Sequence, residues 1–253
     1  MHLHVHAWGD RDAPPVVCLH GVRAHGRRFR RLAEERLATR FHVVAPDLRG
    51  HGRSGWDAPW TLAAHTADLL ERFTQPAAWI GHSFGGRLVA ELMATRPELV
   101  QRAVLLDPAL VVPPDYAQML AEEELATDRS FATEHEAVEQ TVAGLLRAAD
   151  DAVAEEVREH LVRGNDGRFR FRYSPDAVAA GYLEVAAPSP AWEQAGIPTL
   201  VVAAAESKFV SVGEADRYRR SLADCFQLVV VPGGHMVLWE AFEETADAIE
   251  TFL

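Results

Sequence analysis

Hydrophobic positions along this chain keep two rhythms that take turns. Short apolar runs at residues 16–19, 41–45, 77–80, 102–106, 200–203 and 227–231 read as buried strands. Between them, apolar residues recur at helical spacing over 29–39, 61–73, 86–94, 213–222 and 240–252, with Pro97 closing the third of these segments. At the start, residues 3–8 alternate apolar and polar side chains, the pattern of an outer antiparallel strand, and a Gly/Asp/Pro turn at 9–15 follows. Strands alternating with helices predict an α/β fold: a mostly parallel sheet covered by helices on both faces.

The rhythm breaks once. Over residues 112–190 the periodicity is helical, strand-like runs are scarce, and Glu122-Glu123-Glu124 forms an acidic cluster. The expected organisation is a core of residues 1–111 and 191–253 with an inserted helical cap at 112–190. Such a cap would lie over the strand ends, where open α/β sheets bind ligands. A chain of 253 residues suits one α/β core with such an insert. It shows no internal repeat or low-complexity tract.

Composition narrows the function classes. Apolar content of 48% and charged content of 25% are ordinary for a soluble globular protein. The formal net charge of −12 disfavours nucleic acid as a partner. No apolar run approaches the ~20 residues of a membrane span, and the first residues lack a signal peptide's basic start and apolar core, so a cytoplasmic location is expected. A small-molecule substrate is the expected partner, with room for a homo-oligomer. Cys18 and Cys225 make neither a disulfide framework nor a metal spacing, and burial is their expected role. His2, His4 and His6 alternate along the first strand and read as an exposed face rather than a metal site; no metal and no cofactor are expected.

The chemistry concentrates in Gly81-His82-Ser83-Phe84-Gly85. This G-x-S-x-G follows a predicted strand and opens a predicted helix, the context of a nucleophile elbow. The sharp turn strains the backbone at Ser83, so the residues two away must be small, as Gly81 and Gly85 are. A serine hydroxyl is a weak nucleophile until a base takes its proton. His235 is the candidate base, since it follows the last strand through Pro232-Gly233-Gly234, a tight loop able to aim an imidazole at the sheet's top. His51 and His82 read as structural or cavity-lining.

Together, Leu19-His20-Gly21, the stretch Pro46-Asp47-Leu48-Arg49-Gly50-His51-Gly52-Arg53-Ser54, the elbow with Gly86, and Gly233-Gly234-His235-Met236 resemble the α/β-hydrolase superfamily, in its order and over nearly the whole chain. The resemblance implies a serine esterase or lactonase-like enzyme with a cap. It implies Ser83 as nucleophile, His235 as base, and an oxyanion hole from the backbone N–H groups of Val22 and Phe84.

The third catalytic group departs from the family pattern. Most members carry an Asp in the loop after the strand at 200–203; here that loop reads Ala204-Ala205-Glu206-Ser207-Lys208, and the usual position falls on Ser207 or Lys208. Asp107, at the end of the strand after the elbow helix, is the preferred acid because a strand end is a rigid mount and some family branches supply their acid from there. Glu206 is the alternative, and an Asp107 that merely caps the turn before Pro108 stays open.

Arg23, Arg27, Arg28, Arg30 and Arg31 crowd the segment after the oxyanion loop; they read as a solvated helix face, or as recognition of an acidic substrate group. The leading function is hydrolysis of a small carboxylic ester or lactone through an acyl-serine, with preference for small or medium acyl groups. Thioester or C–C bond hydrolysis, cofactor-free perhydrolysis, and a binding protein that has lost catalytic power are the alternatives.

Overall fold

The computed structural model describes residues 1–147 and 151–253; residues 148–150, part of the expected helical insert, lie outside the described residues. Strand β1 (Val5–Trp8) is followed by β2 (Pro15–Leu19). A helical stretch comes next: a 3₁₀ turn at Gly26–Phe29, α1 (Arg30–Leu32) and a π turn at Ala33–Leu37. Then come β3 (His42–Pro46), α2 (Leu62–Arg72), β4 (Ala77–His82), α3 (Phe84–Thr95) and β5 (Val100–Leu106). The insert carries α4 (Pro114–Ala126), β6 (Ser130–Phe131), α5 (Glu134–Ala143), α6 (Asp151–His160), β7 (Leu161–Arg163), β8 (Phe169–Phe171) and α7 (Pro175–Glu184). The core resumes with β9 (Thr199–Ala204), α8 (Val212–Leu222), β10 (Phe226–Val231), α9 (Val237–Glu240) and α10 (Phe242–Phe252).

Seven strands form one sheet in the order β1-β3-β2-β4-β5-β9-β10. β1 is antiparallel to β3 and every other pairing is parallel. The two-residue period of a strand sorts side chains onto two cores. Val17, Leu19, Trp79, Leu105 and Val201 face α2, α3 and α8. Their neighbours Val16, Cys18, Ile80, Val104 and Val202 face the 26–37 stretch and α10. Burial on both faces explains why these strands appear as continuous apolar runs. Cys18 is buried and Cys225 half-buried, both as free thiols.

The insert corrects one expectation, because it is not wholly helical. β6, β8 and β7 form a small antiparallel sheet. Strands of two or three residues are too short to compete with helical periodicity in the sequence, and Phe131, Leu161, Phe169 and Phe171 supply their shared apolar cluster. The last helix also differs, breaking at Ala241 into α9 and α10.

Polar contacts tie insert to core. Gly52 N–H donates to the Arg172 carbonyl at 2.7 Å and Ser174 N–H to the Gly50 carbonyl at 2.8 Å. Arg87, buried on α3, donates to the carbonyls of Ala187 (2.9 Å) and Pro188 (2.8 Å), where the chain leaves the insert. The arginine cluster is neither a free solvated face nor an open anion site. Arg23 pairs with Glu124 of α4, and Arg27, Arg28 and Arg30 pair with Glu159, Glu156 and Glu155 of α6. Arg31 bonds Glu35 and Glu243 of the core.

Buried imidazoles give this fold an acid limit. Burial holds His51 near a pKa of about 4, and His65 and His160 at about 3. An unfolded chain takes up those protons below about 6.5 while the folded one refuses them, so stability falls as pH drops through that value. Each imidazole then costs about 2 kcal/mol at pH 5. The melting temperature is expected to be clearly lower at pH 5 than at pH 7.5; an unchanged value would contradict neutral burial of these rings.

Candidate active site

Ser83 stands between the last residue of β4 and the first of α3, at φ 54° and ψ −115°. A non-glycine residue there stores about 1–3 kcal/mol of strain and persists only if its surroundings fix it. They do: Ser83 N–H donates to the Leu106 carbonyl at 3.0 Å, and its own carbonyl accepts from Arg87 N–H (3.1 Å) and Ala109 N–H (3.2 Å). The flanking glycines answer to contact. A Cβ on Gly81 would stand 2.4 Å from the Gly85 carbonyl oxygen, and one on Gly85 would stand 2.1 Å from that of Leu19.

His235 follows β10 at the top of the sheet and is half-buried. Its Nδ1–H donates to Asp107 Oδ2 at 2.6 Å, which leaves Nε2 as the basic nitrogen. Its ring lies near Phe209 (centroids 4.4 Å apart) and His82 (4.7 Å), and His82 Nε2–H donates to the His235 carbonyl at 2.9 Å. Burial, then the neighbouring His235, keep His82 well below the ordinary imidazole pKa, so it remains neutral. Buried Glu240 sets the approach loop, accepting the N–H groups of Gly234 and of Leu146 in the insert, each at 3.0 Å.

Of the two candidate carboxylates, Asp107 is the one beside the imidazole. It is fully buried at the end of β5, with its N–H bonded to the Val202 carbonyl at 2.7 Å. Besides His235, its carboxylate accepts Ser207 Oγ–H at 2.5 Å and Ala204 N–H at 3.2 Å. Glu206 is exposed, and its backbone N–H donates to the Gly233 carbonyl. Ser207, one of the two positions where the family's usual acid would fall, instead donates to Asp107. Nothing in a single sequence signals that serine, nor Phe209 and Glu240.

Phe84 opens α3, so its N–H is among the first-turn donors that a helix leaves without intrahelical partners. Val22 lines the same cavity as Ser83 and His235. The loop before it is pinned by buried His20, whose Nδ1–H donates to the Gly21 carbonyl (2.8 Å) while Nε2 accepts Leu48 N–H (2.9 Å). That double role needs a neutral ring, and burial, reinforced by His51, keeps it so.

The cavity holds about 670 Å³. Ser83, His82 and His235 floor it, and insert residues such as Phe131, Val157 and Tyr173 wall it. His4, His6 and Asp47 bring potential ligand atoms within 4.8 Å of one another; of the alternating histidines, His2 is exposed as expected while His4 and His6 are half-buried. Within this cluster Asp47 accepts His6 Nε2–H at 3.1 Å and the N–H groups of Gly26 and Arg53, both at 2.8 Å. Burial alone would raise the Asp47 pKa, but these donors hold it well below the usual carboxylate range.

A family model described as the alpha/beta hydrolase fold matches residues 14–242. The chain belongs to the α/β-hydrolase family. It is 33% identical to a Mycobacterium tuberculosis protein named Lipase LipV, over 99% of this chain and 97% of that one. It is 27% identical to human Serine hydrolase-like protein 2, over 100% of this chain and 90% of that one. The solved structure of E-2-(acetamidomethylene)succinate hydrolase superposes with a TM-score of 0.86 at 24% identity, covering 99% of this chain and 94% of that one. That likeness speaks to the hydrolase fold: the parallel sheet flanked by helices.

Replacing Ser207 by Ala removes a hydrogen bond from a fully buried carboxylate and puts nothing in its place. A stability loss of about 1–3 kcal/mol in urea unfolding is expected; a loss near zero would mean that Asp107 does not depend on this donor.

Proposed function

We propose that this α/β-hydrolase cleaves carboxylic esters or lactones of small or medium-sized molecules through an acyl-Ser83 intermediate. The observation that carries the reading is the 2.6 Å bond between His235 Nδ1 and buried Asp107, on an imidazole that shares its cavity with the strained Ser83. A relative named as a lipase supports it.

In this scheme Ser83 Oγ attacks the ester carbonyl carbon while His235 Nε2 takes its proton. Asp107 holds the tautomer and stabilises the imidazolium that forms. The negative oxygen of the tetrahedral intermediate sits against the N–H groups of Val22 and Phe84. Collapse expels the alcohol, which takes the proton from His235. Water, deprotonated by the same nitrogen, then releases the acid and restores Ser83. The insert is the cap of this site, and a cavity of 670 Å³ favours compact substrates over long lipids. A non-catalytic binding protein had its ground in the absent Asp after β9, and a buried carboxylate on His235 removes that ground. Thioester and C–C substrates would use the same machinery and are separated by assay.

Three substitutions test the scheme. Ser83→Ala is expected to abolish ester turnover and labelling by a small fluorophosphonate while the protein still folds. Wild-type turnover in that variant would remove the nucleophile assignment. Asp107→Asn is expected to lower kcat by about 10³–10⁴, whereas Glu206→Gln lowers it less than about tenfold. The reverse order would transfer the acid's role to Glu206.

A further inference from the structure

The Val22 N–H belongs to the planar peptide whose other half is the Gly21 carbonyl, and in a trans peptide the two point in opposite directions. What holds that carbonyl therefore aims that N–H. The Gly21 carbonyl accepts two hydrogen bonds, from His20 Nδ1–H at 2.8 Å and from Ala24 N–H at 3.3 Å. The second closes a turn over residues 21–24. This turn stands beside the nucleophile, since a Cβ on Gly21 would lie 3.1 Å from Ser83 Cβ.

The third place of the turn holds a residue ill suited to it. Arg23 sits at φ 61°, in the left-handed region, where glycine is favoured because a Cβ is crowded there. Its side chain is held from the insert. Arg23 Nε–H donates to Glu124 Oε2 at 2.6 Å, and its guanidinium lies over the Tyr182 ring, 5.4 Å from the centroid. Glu124 belongs to α4 and Tyr182 to α7. Val22 also meets α7, since a Cβ on Gly181 would stand 2.7 Å from Val22 Cγ1. The core thus fixes one side of the turn through His20, and the insert fixes the other through Arg23.

Glu124 differs from its neighbours in the acidic cluster. Glu122 and Glu123 are exposed, while Glu124 is 2% exposed. A carboxylate is buried at a cost unless cations meet it. Arg129 does so from the same stretch of the insert, at 3.0 Å, and Arg23 reaches it from the core. Seating the insert needs no backbone strain, because Arg27 and Arg30 pair with Glu159 and Glu155 without a positive φ. Four described non-glycine residues have a left-handed φ: Arg23, Ser83, Asp107 and Ala223. Ser83 and Asp107 are catalytic in the scheme above, and Arg23 directly follows the oxyanion donor. Strain that persists beside a reacting centre points to a function there.

We propose that Glu124 is a positioning residue for the oxyanion hole: its grip on Arg23 keeps the strained turn closed and so aims the Val22 N–H at the oxyanion. The hole is then complete only when the insert is seated. The inference rests on the ester-hydrolase reading, with Val22 as an oxyanion donor. Glycine and alanine at position 23 separate backbone from charge, because both remove the guanidinium and only glycine adopts this φ freely.

Hydrolysis of p-nitrophenyl butyrate by Arg23→Ala is expected to show a kcat about tenfold or more below that of Arg23→Gly, with KM alike. Glu124→Gln keeps the shape and removes the charge. It is expected to lower kcat about tenfold in the otherwise unchanged enzyme, but less than about twofold when added to Arg23→Gly. Propyl trifluoromethyl ketone adds to the serine as a hemiketal whose negative oxygen occupies the hole, so its inhibition should weaken by the same factors as kcat. Equal kcat in the alanine and glycine variants overturns the proposal. So does a Glu124→Gln loss confined to KM, or one undiminished in Arg23→Gly; the pair would then only seat the insert. The comparison at position 23 decides the matter even where Glu124→Gln does not fold, because it leaves Glu124 with Arg129. Wild-type hydrolysis of the ester, with the two variants equal, keeps the hydrolase and removes the positioning role. A wild-type protein that neither hydrolyses the ester nor binds the ketone removes the hydrolase reading, and this inference with it.

Discussion

A carboxylate without solvent must be surrounded by donors, and the Asp107 carboxylate finds them on three different pieces of chain. Ala204 N–H ends β9, Ser207 lies in the loop beyond it, and His235 follows β10. Desolvating an unpaired carboxylate would be prohibitive, so these loops are constrained to arrive together at the end of β5. Asp107 also sits at φ 38°, close in the fold to Ser83 at φ 54°. Both strained residues are fixed by backbone bonds to neighbouring strand ends: Ser83 to Leu106, Asp107 to Val202. The parallel sheet thus supplies rigidity, and the strained positions use it to hold side chains above the strand ends.

Much of this was legible in the sequence. Strands buried on both faces announce themselves as apolar runs, and the elbow announces itself because a tight strand-to-helix crossing needs glycine at 81 and 85. The preference for Asp107 over Glu206 followed from where each residue sits relative to a strand end, and the structure brings Asp107 to His235. What the sequence concealed has two physical sources. Ser207, Phe209 and Glu240 act through contacts between segments far apart in the chain, which no local pattern records. The small sheet of the insert is built from strands too short to show a period. The arginine cluster was misread for a related reason: a charged side chain's role depends on what faces it, and α6 brings its glutamates to Arg27, Arg28 and Arg30, and α4 brings Glu124 to Arg23, only in the folded molecule.

Charge organises the seam between core and insert. Arg27, Arg28 and Arg30 meet Glu159, Glu156 and Glu155, and Arg28 also lies 3.8 Å from the centroid of the Trp239 ring. The outer pairs are partly solvated and contribute little each. Buried Arg28 with Glu156, which also accepts Trp239 Nε1–H, sits at the cavity wall and shapes it. The acidic net charge of the chain therefore hides a local complementarity that sets how the insert seats on the core.

The exit of the insert is held in another way. Arg87, one turn beyond Ser83 on α3, grips the carbonyls of Ala187 and Pro188, and every residue type has a carbonyl to offer. The abutment of the arch is thus indifferent to sequence: it fixes the path of the main chain and leaves the side chains around it unspecified. An insert with quite different walls could be grafted onto this core and still be seated at its exit, provided the main chain follows the same route past Arg87. The helix that begins after Ser83 would then serve as a standard fitting for interchangeable roofs.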